Sequence, residues 1–191
     1  MAKKAKSTLI NMLLSLTIIA VVAAAALAFV SNVTEEPIAQ AQKEKKAAAV
    51  KAVLPPFENL EEVEIDNVSC TKALDAEGNL VGMAVESGSD AGFGGHLGVM
   101  VGFDKDGNVS GYQILQTSET PGLGAKAAEW FQKDGKGNII GMNPAETLKV
   151  KKDGGNVDAI SGSTITSRAF CEAVNNAYNT FLPRQHPSTA H

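Results

Sequence analysis

A run of hydroxyl-bearing side chains lies near the end of the chain, in the segment DAISGSTITSRAF at residues 158–170. It leads directly into a segment with helical periodicity, and a helix cap requires only one such side chain, for example Ser161 or Ser163. The first turn of a helix also attracts phosphate, because its N–H groups lack partners and its dipole is positive there. A threonine at this point, such as Thr164, is therefore well placed to bind a phosphate or to be esterified to one.

A second stretch, SETPGLGAKAAEWF at residues 118–131, carries polar residues that a simple connection does not need. Its Pro-Gly pair suits a turn, and Gly124 suits the start of a helix predicted over residues 124–132. A strand-to-helix connection explains those features but gives Glu119 and Thr120 no role. Because loops held on a scaffold often carry function, this loop is a second candidate site.

The sequence contains few other residues that could act in catalysis or bind a metal. Two of the three histidines, His96, His186 and His191, lie in the last six residues, and no Ser-His-Asp set or metal-ligand spacing can be assembled. The glycine-rich GFGGHLG leads into a strand, whereas a nucleotide-binding loop would open a helix. From residue 52 onward ten Lys and Arg face eighteen Asp and Glu, which argues against nucleic acid as a partner. We predict no catalytic side chain of its own and no metal site.

An uncharged apolar segment of 22 residues, 9–30, lies near the N-terminus. At about 1.5 Å per residue a helix of this length reaches roughly 33 Å, enough to cross a bilayer core of about 30 Å. A cleaved signal peptide is the alternative, but its apolar region is usually only about 7–15 residues long. Three lysines precede the segment and two glutamates follow it, so the positive-inside rule places the main domain outside the cytoplasm.

The chain divides into four predicted parts. Residues 1–31 form a cytoplasmic tip and a transmembrane anchor, 32–56 a helical juxtamembrane linker, 57–183 the folded domain and 184–191 a disordered tail. In the linker, good helix formers favour a helix whose first turn contains Pro37 and which ends before a Pro-Pro pair.

The folded domain changes from strand to helix signals along its length. From residue 63, β-rich runs flank the turns DAEGN and DKDGN, and Asp, Gly and Asn between such runs indicate hairpins. From Thr164 onward, apolar residues recur three and four positions apart, which indicates a helix. Strands followed by segregated helices predict an α+β domain built on an antiparallel sheet.

The two cysteines of the chain lie far apart in sequence. Cys70 falls within a predicted strand, and Cys171 falls on the apolar side of the last predicted helix. An exported domain could join them in a disulfide, but these positions favour two separate buried thiols.

Both polar stretches resemble motifs of the FMN-binding domain family. DAISGSTITS resembles the flavinylation motif Asp-x-x-(Ser/Thr)-Gly-(Ala/Ser)-Thr, whose last threonine bears FMN through a phosphoester, and GFGGHLGVMVGFDKDGNVSGYQILQTSETPGLG resembles the middle of the same domain. With the N-terminal anchor and the short length, the resemblance covers roughly residues 8–183 and is greatest to the G subunits of Rnf ion-translocating electron-transport complexes. The C subunits of sodium-pumping NADH:quinone reductases, which are usually longer, are the alternative within the family.

The resemblance implies site residues by position. Thr164 would carry the FMN, within a recognition sequence for a separate magnesium-dependent flavin transferase that uses FAD as donor: Asp158, Ser161, Gly162 and Ser163. The family more often has alanine at the position of Ser163. The flavin would be lined by the loop and a neighbouring strand: Glu119, Thr120, Leu123, Gly124, His96 and Leu97. Lys151 or Lys152 would meet the phosphate or the ring edge, unless the two are simply a solvated pair.

The function implied by the resemblance is electron relay. Rnf complexes move electrons between ferredoxin and NAD and couple this to sodium or proton movement in the bacterial cytoplasmic (inner) membrane. A subunit of this type would hold one exported flavin, exchange electrons with cofactors of other membrane subunits and bind neither NAD nor ferredoxin. A stand-alone membrane-anchored flavin reductase and a cofactor-free scaffold, in which the hydroxyl run is only a helix cap, are the alternatives from other classes.

Overall fold

The computed structural model describes residues 9–182 and divides the chain into two compact units, Met1–Glu44 and Lys45–His191. The predicted basic tip before residue 9 and the predicted tail at 184–191 lie outside the described residues. The division falls inside the predicted linker and not at its ends.

The first unit consists, as far as it is described, of helix α1 (Leu9–Val53), whose last nine residues belong to the second unit. It is long and apolar enough to cross a membrane by length and composition. The sequence predicts a separate linker helix that starts near Pro37, but Pro37 lies inside this one helix. Strong helix formers on its C-terminal side outweigh the single backbone hydrogen bond that proline removes.

A five-stranded antiparallel sheet, in the order β1-β2-β3-β4-β5, forms the centre of the second unit. The strands are β1 (Asn59–Ile65), β2 (Val68–Leu74), β3 (Leu80–Gly92), β4 (Gly95–Asp104) and β5 (Val109–Gln116). Both predicted hairpin turns are confirmed. Each is closed by its aspartate: Asp75 accepts backbone N–H groups at 2.9 and 2.8 Å, and Asp104 accepts two at 2.9 Å.

Helix α3 (Thr164–Phe181) covers one face of the sheet and contacts mainly β3 and β4. The predicted helix at 124–132 is shorter than expected: a 3₁₀ turn at Gly124–Lys126 leads into α2 (Ala127–Trp130). Between the sheet and these helices the core is aromatic, with the Phe131 and Phe170 rings stacked at a centroid distance of 4.2 Å. The α+β class with an antiparallel sheet is confirmed.

The end of α1 covers the opposite face of the sheet, where Ala49, Val50 and Val53 are buried against Ala84 and Met100. This packing explains why the second unit begins at Lys45 and not at residue 57. Glycines let the backbones meet, since a Cβ on Gly102 or Gly111 would collide with the main chain of Val53. The Ser110 hydroxyl donates a 2.6 Å hydrogen bond to the Val53 carbonyl.

Cys70 and Cys171 are both buried thiols, as predicted. Cys70 is 1% exposed in β2 and Cys171 is 3% exposed in α3. Burial raises the pKa of the Cys171 thiol to about 12, so this side chain stays protonated at neutral pH.

Candidate functional site

A cavity of about 370 Å³ opens where α3 begins. Four segments form it: the β3–β4 turn, the loop after β5, a 3₁₀ turn at Lys151–Asp153 and the first residues of α3. Its lining residues are Phe93, Glu119, Thr120, Leu123, Lys152, Gly162, Ser163, Thr164, Ile165 and Thr166. The volume lies within the range of about 300–1,000 Å³ that is usual for small-molecule sites.

The cavity brings the two candidate stretches together, although they are about 40 positions apart in sequence. Seven of the residues singled out from the sequence line it: Glu119, Thr120, Leu123, Lys152, Gly162, Ser163 and Thr164. Gly124 lies directly behind the wall, where a Cβ would collide with the Glu119 carboxylate.

The other predicted site residues do not line this cavity: His96, Leu97, Lys151, Asp158 and Ser161. Leu97 is fully buried in the core of the domain. The half-exposed His96 ring lies 2.6 Å, Nδ1 to Oδ1, from Asp90. Asp158 is paired with the Lys151 ammonium at 2.7 Å.

The start of α3 leaves hydroxyl groups unused by capping. Ser163 is the N-cap residue, but its side chain makes no capping hydrogen bond. The Ser167 hydroxyl instead links the backbone before α3 to the first turn of the helix. It accepts a hydrogen bond from the Ile160 N–H and donates one to the Ser163 carbonyl, both at 2.9 Å. Gly162 has a φ of 79°, which only glycine adopts without strain. Helix capping therefore does not account for the hydroxyl run.

Of the two adjacent lysines, Lys152 faces the cavity. Its ammonium group donates to the Thr164 hydroxyl at 3.3 Å. The turn that carries Lys152 is held to α3 by a two-fold ion pair, in which Arg168 Nε and Nη2 each lie 2.7 Å from a carboxylate oxygen of Asp153. The hydrogen bonds from Arg168 hold the pKa of Asp153 below its usual range.

Two polar side chains at the cavity are buried without a partner. Glu119 is 7% exposed and Thr166 is fully buried. Neither oxygen of the Glu119 carboxylate, nor the Thr166 hydroxyl, makes a hydrogen bond within residues 9–182. The two groups flank Gly124, since a Cβ there would meet the Glu119 carboxylate and lie 2.7 Å from the Thr166 hydroxyl. Because a buried polar group without a partner is costly, the arrangement indicates a place for a polar ligand.

Sequence reasoning overlooked three of the lining residues, Phe93, Ile165 and Thr166. Phe93 lies between glycines in GFGG. An aromatic residue in a glycine-rich turn could have indicated a binding residue. Thr166 belongs to the hydroxyl run but lies beyond the recognised motif.

Comparison with known proteins shows which family contains the segments that form the cavity. The FMN-binding domain family matches residues 92–179, a range that contains every lining residue. The G subunit of the ion-translocating oxidoreductase complex of Methanosarcina acetivorans is 34% identical over 176 residues, which covers 87% of this chain and 91% of that protein. The chain belongs to the G-subunit family of ion-translocating oxidoreductases. The resemblance seen in the two motifs is thereby confirmed.

A further family member is the G subunit of the Na⁺-translocating ferredoxin:NAD⁺ oxidoreductase complex of Acetobacterium woodii, 30% identical over 88% of this chain and 89% of that protein. Among solved structures, Shewanella oneidensis NqrC is similar with a TM-score of 0.46 and 22% identity, over 63% of this chain and 62% of that one. The two G subunits each match most of the chain, whereas the solved structure matches less than two thirds of it.

Proposed function

We propose that this protein is an electron-carrying subunit of an Rnf-type ion-translocating ferredoxin:NAD oxidoreductase and holds FMN through a phosphoester to Thr164. Family membership supports the type of complex. One observation carries the attachment site: Thr164 is the first residue of α3 and lines the cavity, and its hydroxyl accepts a hydrogen bond from the Lys152 ammonium.

The phosphate end of FMN fits the start of α3. An ester to Thr164 would leave a phosphodiester with one negative charge. The N–H groups of the first helical turn favour an anion at this place, and so does the ammonium of Lys152, 3.3 Å from the ester oxygen's position. Ser163 adds a further hydroxyl that capping leaves available.

The polar groups of the cavity also fit FMN, whose ribityl chain and ring edge carry both hydrogen-bond donors and acceptors. The Glu119 carboxylate can only accept, and the Thr166 hydroxyl can donate or accept. Both are buried and have no partner among the described residues. When bound, FMN supplies one- and two-electron redox chemistry. The protein's part is to hold the ring in position and to provide the polar and apolar groups around it.

The location we propose follows from α1 and its flanks. Helix α1 would anchor the chain in the cytoplasmic membrane by a single pass, with the second unit on the periplasmic or extracytoplasmic side, because lysines precede the apolar segment and glutamates follow it. A covalent tether suits that side, where dissociated FMN would be lost. The partners would be the other membrane subunits, and a flavin transferase that recognises residues 158–164 during maturation.

Intact mass of the full-length chain, co-expressed with a flavin transferase, tests the attachment. FMN joined as an ester adds about 438 Da, its formula mass less one water. Thr164→Val keeps the side-chain shape but removes the reacting oxygen, so this mass should disappear. Ser163→Ala and Thr166→Val are matched controls that should retain it. If Thr164→Val still gains the mass, another residue carries the FMN.

Purification of the tagged chain from native membranes tests the assignment to a complex. We expect other membrane subunits to co-purify with the flavin-loaded chain. A flavin-loaded chain that purifies alone and is reduced by NADH without other proteins would instead favour a stand-alone reductase.

A further inference from the structure

Exposed apolar side chains of the second unit concentrate at the cavity. Among the described residues from Lys45 onward, five large hydrophobic side chains are exposed: Leu60, Phe93, Leu123, Ile165 and Leu182. Three of them, Phe93, Leu123 and Ile165, line the cavity and come from three different segments. Phe93 is the most exposed of the five, at 71%. These three side chains form the apolar part of the cavity mouth.

The backbone that carries Phe93 is fixed, although its ring is exposed. A Cβ on Gly94 would collide with the Ser118 carbonyl oxygen, and a Cβ on Gly92 would lie 2.8 Å from a Glu119 carboxylate oxygen. The β3–β4 turn is therefore packed directly against the loop after β5, and glycine is required on both sides of Phe93. Local packing needs the two glycines, but it does not need an aromatic ring between them.

We infer that Phe93 contacts the flavin ring and shields it from water, with Leu123 and Ile165 as the other apolar contacts. This inference rests on the proposed function, since the occupant it names is the ring of an FMN tethered at Thr164. The tether point, the polar groups without partners and the apolar mouth all belong to one cavity. A flat aromatic ring joined to a phosphate matches this combination, because aromatic rings gain from packing against other rings and apolar side chains.

Substitutions at Phe93 test the contact in the covalently loaded full-length protein. In Phe93→Trp, an indole touching the flavin should quench it by electron transfer, so most of the flavin fluorescence should be lost. In Phe93→Ala, the uncovered ring should become more accessible to iodide, and the quenching constant should rise. Leu60→Trp and Leu60→Ala are the matched controls, because Leu60 is an exposed apolar residue on β1 that does not line the cavity. Both should behave like the wild type.

Intact mass is measured first, because it separates this inference from the proposed function. If the wild type itself lacks attached FMN, the proposed function fails. If FMN is attached but fluorescence and iodide quenching in the Phe93 variants match the Leu60 controls, Phe93 does not contact the ring and only the inference fails. Loss of attachment in both Phe93 variants would also overturn it, by assigning Phe93 to recognition by the transferase.

Discussion

Thr166→Val should stabilise the protein without FMN and lose that advantage when FMN is attached. The Thr166 hydroxyl is fully buried and has no hydrogen-bond partner within the described range. Valine replaces the hydroxyl with a methyl group of nearly the same size. Since a buried polar group without a partner costs about 1–3 kcal/mol, the chain without FMN should gain about that much unfolding free energy.

Attachment of FMN should reverse the sign of this change. If the Thr166 hydroxyl forms a hydrogen bond with the cofactor, valine removes that bond and leaves the cofactor group without its partner. A typical bond contributes about 0.5–1.5 kcal/mol, so the loaded variant should be less stable than the loaded wild type by about that amount.

Urea unfolding followed by the emission of Trp130 measures both effects. Trp130 is the only tryptophan of the chain, and its indole N–H donates to the Asp158 carbonyl at 2.8 Å, close to the site. Ser167→Ala on the next helical position is the control: its hydroxyl already has two backbone partners, so the substitution should destabilise both forms. If Thr166→Val shifts the two forms equally, the hydroxyl has no role toward the cofactor.

Three further predictions concern other contacts. Lys152→Ala should lower the yield of covalent FMN, read by intact mass, more than Lys151→Ala, since Lys152 and not Lys151 contacts Thr164, the proposed attachment residue; equal yields would contradict this. Gly102→Ala should reduce the unfolding free energy by about 1–3 kcal/mol, because a Cβ there collides with the end of α1. Gly98→Ala on the same strand, whose nearest neighbours would lie at 3.4 Å, should change urea stability less. Finally, the Cys171 thiol, with its pKa raised to about 12 by burial, should not react with a disulfide reagent at pH 8 until the protein is unfolded; rapid reaction of the native protein would refute this.

The sheet can be predicted in outline because its signals are local. The two predicted hairpin turns, β2–β3 and β4–β5, each carry an aspartate that binds the backbone of its own turn, and the sequence shows this directly. The start of the first strand escapes prediction before residue 63, because the acidic run of β1 at Asn59–Ile65 is mostly exposed and lacks an apolar alternation. Pro37 misleads the prediction of α1, since a proline signal says little about how strongly the flanking residues favour a helix.

The site can be predicted only as far as its motifs extend. The two stretches indicate Thr164 and Glu119, but no local pattern distinguishes Lys152 from Lys151. That difference depends on the 3₁₀ turn and on the ion pair that fixes it to α3. The missing partner of Thr166 is likewise a property of the folded cavity, because it reflects which groups surround a buried hydroxyl among the described residues.

The contact between the end of α1 and the sheet has a consequence for the order of folding. Val53 meets Ser110, 57 positions later in the chain, so this contact closes a long loop, and the surface that it binds is complete only once β4 and β5 have paired. During synthesis the end of α1 appears first, and it remains without its binding surface until that hairpin exists. We therefore expect docking of residues 45–53 to be a late step of folding. Pulsed hydrogen exchange during refolding would test this order. Protection of the β4 and β5 amides should precede protection of the backbone amides of residues 45–53.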